Sequence, residues 1–124
     1  MASEPTFGNG KICYLHIPAL DAEKSAQFYH DVFGWNIRRR TNGEMSFDDG
    51  VNQVSGSWVE GVTPDPEPGI LVHIMVYDMQ ATISSLLDHG GKLVQPVGAD
   101  APEITARFSD PAGNVFGLYQ HGGA

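Results

Sequence analysis

Apolar and polar positions follow an order along this chain that is used twice. Residues 11–20 form an apolar run that reads as a buried strand. It ends at Asp21, a helix N-cap residue, because a carboxylate there accepts from the first unpaired N–H groups. Glu23 falls in the first turn, where the helix dipole favours negative charge. Ala22, Ala26, Tyr29 and Phe33 recur at helical spacing with Phe28 and Val32 beside them, and Gly34 closes the helix. Three strands follow over 36–41, 45–47 and 53–60, separated by Asn42-Gly43 and Asp48-Asp49-Gly50, both hairpin signals. Pro64, Pro66 and Pro68 make 61–69 an extended linker, since each removes a backbone donor and restrains its predecessor. The order then restarts with a strand over 70–76 and a helix capped by Asp78, whose apolar positions are Met79, Ile83, Leu86 and Leu87. His89 sits in its last turn and Gly90-Gly91 ends it. Strands over 92–97, 104–109 and 114–121 complete the second round, with Asp110-Pro111-Ala112-Gly113 as a turn.

The repetition extends to residue identity. His16-Ile17-Pro18-Ala19-Leu20-Asp21 returns 57 residues later as His73-Ile74-Met75-Val76-Tyr77-Asp78. Asp49, Val54, Gly56 and Trp58 return 61 residues later as Asp110, Val115, Gly117 and Tyr119, so the copies differ by a small insertion. The pattern predicts an α+β domain spanning 1–124. It holds two tandem β-α-β-β-β modules, about 11–60 and about 70–121, joined by the linker. Where two such halves meet, a pocket is expected.

Composition narrows the function classes. With 124 residues, 41% hydrophobic and 10% aromatic, the chain can bury a core without staples. A formal charge of −8 argues against nucleic acid and anionic membranes; it suits a cationic small ligand, or is simply a solvated acidic coat. Cys13 is the one cysteine, so no intrachain disulfide forms, and its apolar neighbours make it a small core residue. Residues 1–10 lack the pattern of a signal peptide and no apolar stretch reaches membrane length, so a reduced, cytoplasmic setting is expected. No Gly-rich phosphate loop and no CxxC pair occurs.

Several segments together resemble the vicinal oxygen chelate superfamily, which includes glyoxalases, bleomycin-resistance proteins and extradiol dioxygenases. They are the strand into Asp21, Phe28-Tyr29, Val32-Phe33-Gly34-Trp35, Gly90-Gly91-Lys92, and Asp110-Pro111-Ala112-Gly113-Asn114-Val115-Phe116-Gly117-Leu118. The likeness spans residues 12–120 and is nearest to the small glyoxalase-related bacterial proteins. It implies a cupped, incomplete barrel with helices outside, and a homodimer. It also implies, in metal-using members, one ligand from the first strand and one from the last strand of each module. Carried over residue by residue, those positions fall at Tyr14, near Leu71, and at Gly56 and Gly117. None except Tyr14 offers a donor, and Tyr14 is a poor one.

His16 and His73 lie two residues beyond the first-strand positions, and Trp58 and Tyr119 two beyond the last-strand ones, so all four are expected on one face. Glu60 and His121 would form the next layer. Three readings of this layer stand open. The histidines are satisfied interior residues; or His16, Trp58, His73, Tyr119 and Tyr14 bind a small organic ligand; or His16 and His73 with Glu60 hold a relocated divalent metal. Gly56 and Gly117 then either open room for a ligand or relieve a bend. Arg38-Arg39-Arg40 reads as a charged edge strand, and Met75 and Met79 as core. The leading expectation is a metal-independent small-molecule-binding protein, with no cofactor. The alternative is a metal-dependent lyase, isomerase or dioxygenase, so enzymatic activity stays open.

Overall fold

Asp21 and Asp78 start the two helices found among the described residues in the same way. Each is extended and accepts from the N–H three residues on, Lys24 at 3.3 Å and Ala81 at 3.0 Å. The computed structural model describes residues 4–122. It divides into two compact units, Met1–Thr63 and Pro64–Ala124. The first holds β1 (Tyr14–Ala19), α1 (Ala22–Phe33), β2 (Asn36–Arg39), β3 (Met45–Asp48) and β4 (Ser55–Glu60). The second repeats the order with β5 (His73–Val76), α2 (Met79–Asp88), β6 (Lys92–Gln95), β7 (Ile104–Ser109) and β8 (Val115–Gln120). The α+β class and the tandem β-α-β-β-β plan are therefore as predicted.

In the first unit the sheet order is β1-β4-β3-β2, with β1 parallel to β4 and the other pairs antiparallel. Alternation along the strands sends Ile17, Trp58 and Phe47 toward α1. There an aromatic cluster forms: Trp35 stacks on Tyr29 at 4.7 Å and on Phe47 at 4.4 Å, and Trp58 lies 4.9 Å from Phe47. Fully burying each such ring stabilises by roughly 1.5–3 kcal/mol. Gly34 ends α1 with φ 74°, a left-handed conformation that costs glycine little. The edge strand β2 carries Arg38 and Arg39, paired with Asp48 and Glu23, and Arg40 beyond it pairs with Glu44. Burial pulls the Asp48 carboxyl upward, but hydrogen bonds from the Ser55 hydroxyl and Arg38, with the Arg38 charge, outweigh it and hold the group below its ordinary range.

Cys13 departs from expectation. It is exposed, because β1 begins only at Tyr14 and the core-facing Ile17 and Ala19 lie toward the other end of the strand.

The second unit has the matching order β5-β8-β7-β6. Val76, Leu118, Ala106 and Phe108 turn to the core with Met79 and Leu86 of α2. Leu87 stays half exposed (51%), since a short helix on one sheet face buries a narrow stripe. At the turn before β8 the Asp110 Oδ1 accepts from the N–H groups of Ala112, Gly113 and Asn114, and Oδ2 accepts from Asn114 Nδ2 at 2.8 Å. No helix among the described residues is long and apolar enough to cross a membrane.

Each helix N-terminus is tied to the last strand of its own unit. The Ala22 N–H donates to Glu60 at 2.9 Å and the Met79 N–H to Gln120 at 2.7 Å. Glu60 thus corresponds to Gln120 and not to His121. The strand register agrees: His16 pairs with Ser57, and His73 with Gly117. The last strands are therefore 60 residues apart, not 61. The extra residue lies in the first unit's turn, where the Asp49 N–H reaches Val54, while the Asp110 N–H reaches Asn114 one residue sooner.

Candidate functional site

On β5, β8 and β7 the residues that avoid the core make two rungs on the sheet face away from α2. One rung is Met75, Tyr119 and Thr105, in register across the three strands. The other, one pleat away, is His73, Gly117 and Arg107. Four of these side chains, His73, Met75, Thr105 and Tyr119, line a cavity of about 530 Å³ together with Asp100 and Glu103. Asp100 is anchored there because its Oδ2 accepts from Thr105 Oγ1 at 2.5 Å, and the Glu103 N–H donates to the Asp100 carbonyl at 3.0 Å. The Tyr119 hydroxyl and His121 Nδ1 are 3.1 Å apart, which fixes the phenol at the strand end.

Two of the residues expected from sequence, His73 and Tyr119, are therefore brought to one cavity. Met75 is a correction: it is 66% exposed and lines the cavity, because the alternation of β5 turns Val76 inward instead. Asp100, Glu103 and Thr105 join the cavity from outside the expected set. Thr105 was legible in principle as two residues along β7 from Arg107 on one face. Asp100 and Glu103 sit in an irregular segment with no period to place them.

In the first unit Tyr14 and His16 also share the face away from the helix, in edge contact with ring centroids 5.5 Å apart. Trp58 does not join them. It pairs in register with Ile17, is 3% exposed, and belongs to the aromatic core. The expected layer containing Trp58 is wrong by one residue, and one residue on a strand is the opposite face. Glu60, considered as a ligand or base, caps α1.

The two glycines are not equivalent and neither leaves free room. Gly56 faces the core, where an added Cβ would fall within 3.0 Å of the Leu15 carbonyl oxygen and the Phe47 ring. Gly117 faces the cavity side, and its added Cβ would fall within 3.0 Å of the His73 imidazole. Gly56→Ala is expected to cost about 1–3 kcal/mol, since a backbone oxygen cannot swing aside. Gly117→Ala meets only an exposed side chain and should stay within about 0.5 kcal/mol. Urea midpoints of the two variants check this, and equal losses would contradict the assigned faces.

The residues present do not fit the superfamily's divalent-metal set. Gly117 has no donor and its space is taken by His73, and Ser57, its counterpart in the first unit, is a weak ligand. No group of three or more His, Cys, Asp or Glu side chains able to hold a metal occurs among the described residues.

Comparison with known proteins places these features. Residues 14–119 match the family model described as a glyoxalase-like domain. A glyoxylase-like domain-containing protein of Didymella fabae is 30% identical, over 89% of this chain and 93% of that one. Among solved structures, TnmS3, an antibiotic-binding protein from Streptomyces sp. CB03234, is similar with a TM-score of 0.68 and 24% identity, over 93% of this chain and 98% of that one. The genomically encoded fosfomycin resistance protein FosX from Listeria monocytogenes gives 0.76 at 12% identity, over 91% and 92%.

Proposed function

We propose that this chain, which belongs to the glyoxalase-like domain family within the vicinal oxygen chelate superfamily, binds a small organic molecule without a metal ion. The observation that carries this reading is the cavity in the second unit. Its lining combines an imidazole, a phenol, a thioether, a hydroxyl and two carboxylates, while the last-strand position beside it is a glycine covered by His73. Such a lining offers apolar area for a ring and polar groups to orient it. The antibiotic-binding relative and the fosfomycin resistance relative support the same class of ligand. A reduced, cytoplasmic setting and a homodimer belong to the same proposal; light scattering on the purified chain tests the dimer.

Thermal-shift and calorimetric screening tests the reading, using fosfomycin, a set of aromatic antibiotics and the divalent ions Zn²⁺, Mn²⁺ and Ni²⁺. A binding organic compound at 100 times its Kd stabilises by about 2.7 kcal/mol. The gain should vanish in His73→Ala and Tyr119→Ala, with none of the ions stabilising the chain. Stoichiometric metal in the purified protein, lost in a His16→Ala, His73→Ala double variant, would overturn the metal-free reading.

A further inference from the structure

We infer that the cavity of the second unit is built for a dipolar ligand, a molecule with a planar body, an anionic group at one end and a cationic group at the other. This rests on the small-molecule reading above and adds the ligand's charge pattern. The surroundings of the two rungs differ in charge: loop carboxylates stand by the Thr105 rung, and a guanidinium belongs to the other. At the Thr105 end stand Asp100, held by the threonine hydroxyl, and Glu103. Thr105 aligns with Tyr119 and Met75, so the carboxylates are next to an aromatic ring and a thioether. One pleat along, Arg107 aligns with Gly117 and His73; of these only His73 lines the cavity, and Arg107 flanks it.

Arg107 is exposed and makes no ion pair among the described residues, unlike Arg38, Arg39 and Arg40, each of which has a carboxylate partner. An unpaired guanidinium beside an imidazole suits a carboxylate or phosphate-like group, which accepts from both. Gly117 matters here because only a residue without a side chain lets the His73 ring lie over the middle strand, toward Arg107. Thr105 and Arg107, two apart on one strand, are separated by about 7 Å, which sets the spacing of the two rungs that the ligand must bridge. A ring spanning that distance would rest against Tyr119 and Met75. A purely cationic ligand leaves Arg107 facing like charge, and a purely anionic one faces Asp100 and Glu103.

Calorimetric titration of the full chain at low salt tests this with three probes of one shape. They are 4-(aminomethyl)benzoate, which carries both charges, benzylamine, which carries only the cation, and benzoate, which carries only the anion. The zwitterion is expected to bind at least tenfold more tightly than either. Arg107→Ala should reduce it to the level of benzylamine, and Glu103→Gln should bring it toward benzoate. Both side chains are exposed, so circular dichroism of the variants should match the parent. Benzylamine or benzoate binding as tightly as the zwitterion overturns the dipolar assignment, as does a ratio unchanged by Arg107→Ala. Absence of binding by all three also overturns it, and leaves the small-molecule reading to the screen described above. Binding that ignores both His73→Ala and Tyr119→Ala overturns the site itself.

Discussion

Trp58→Ala is expected to destabilise the protein by about 3–5 kcal/mol, the range for removing a large buried aromatic. The ring is 3% exposed and packs against Phe47 and Tyr29, at 4.9 and 5.9 Å. Its removal leaves a cavity in the aromatic cluster of the first unit, which cannot collapse around stacked rings without moving them. Trp58→Phe should cost distinctly less. The indole Nε1 is buried without a hydrogen-bond partner, so phenylalanine loses volume but also removes an unsatisfied donor. Denaturant melts of the two variants measure the difference, and ligand affinity of the phenylalanine variant should stay within about twofold. A Trp58→Ala protein with parental stability and lost binding would restore Trp58 to the ligand face.

Asp110→Ala should cost about 2–4 kcal/mol, from the loss of a carboxylate that accepts from three backbone N–H groups and the Asn114 amide. Asp110 is buried, so those donors do not regain water when it is gone. Asp110→Asn keeps an acceptor for the backbone and should lose about 1 kcal/mol. Thermal unfolding followed by circular dichroism checks both. Equal losses would mean that the charge, rather than the acceptor geometry, holds the turn.

Local signals made the elements legible. Asp21 and Asp78 act through their own side chains, Gly34 through its own φ, and Asp110-Pro111-Ala112-Gly113 through contacts no longer than four residues. Each works on neighbours in the chain, so reading along the chain finds it. Strand alternation alone puts His73 and Tyr119 on one face, as the register shows, but the pair lies one pleat apart and not in one layer, with His73 opposite Gly117 and Met75 opposite Tyr119. Met75 departs from its expected core position because a methionine in an apolar run looks the same whether its strand turns it inward or out.

Trp58 shows where such reading stops. The repeat itself determined the fold: two rounds of strand, helix and three strands, each helix capped by aspartate. Which face each side chain of the last strands presents was decided only by tertiary structure. The turn at Asp49–Val54 holds one residue more than the turn at Asp110–Asn114. Side chains on a strand alternate with a period of two, so this single residue carries Trp58 and Gly56 into the core while Tyr119 and Gly117 face the cavity side. Asp100 and Glu103 join that side for a similar reason, since only the folded loop brings them to Thr105. Hydrogen-bond pairing between strands distant in sequence fixes that register.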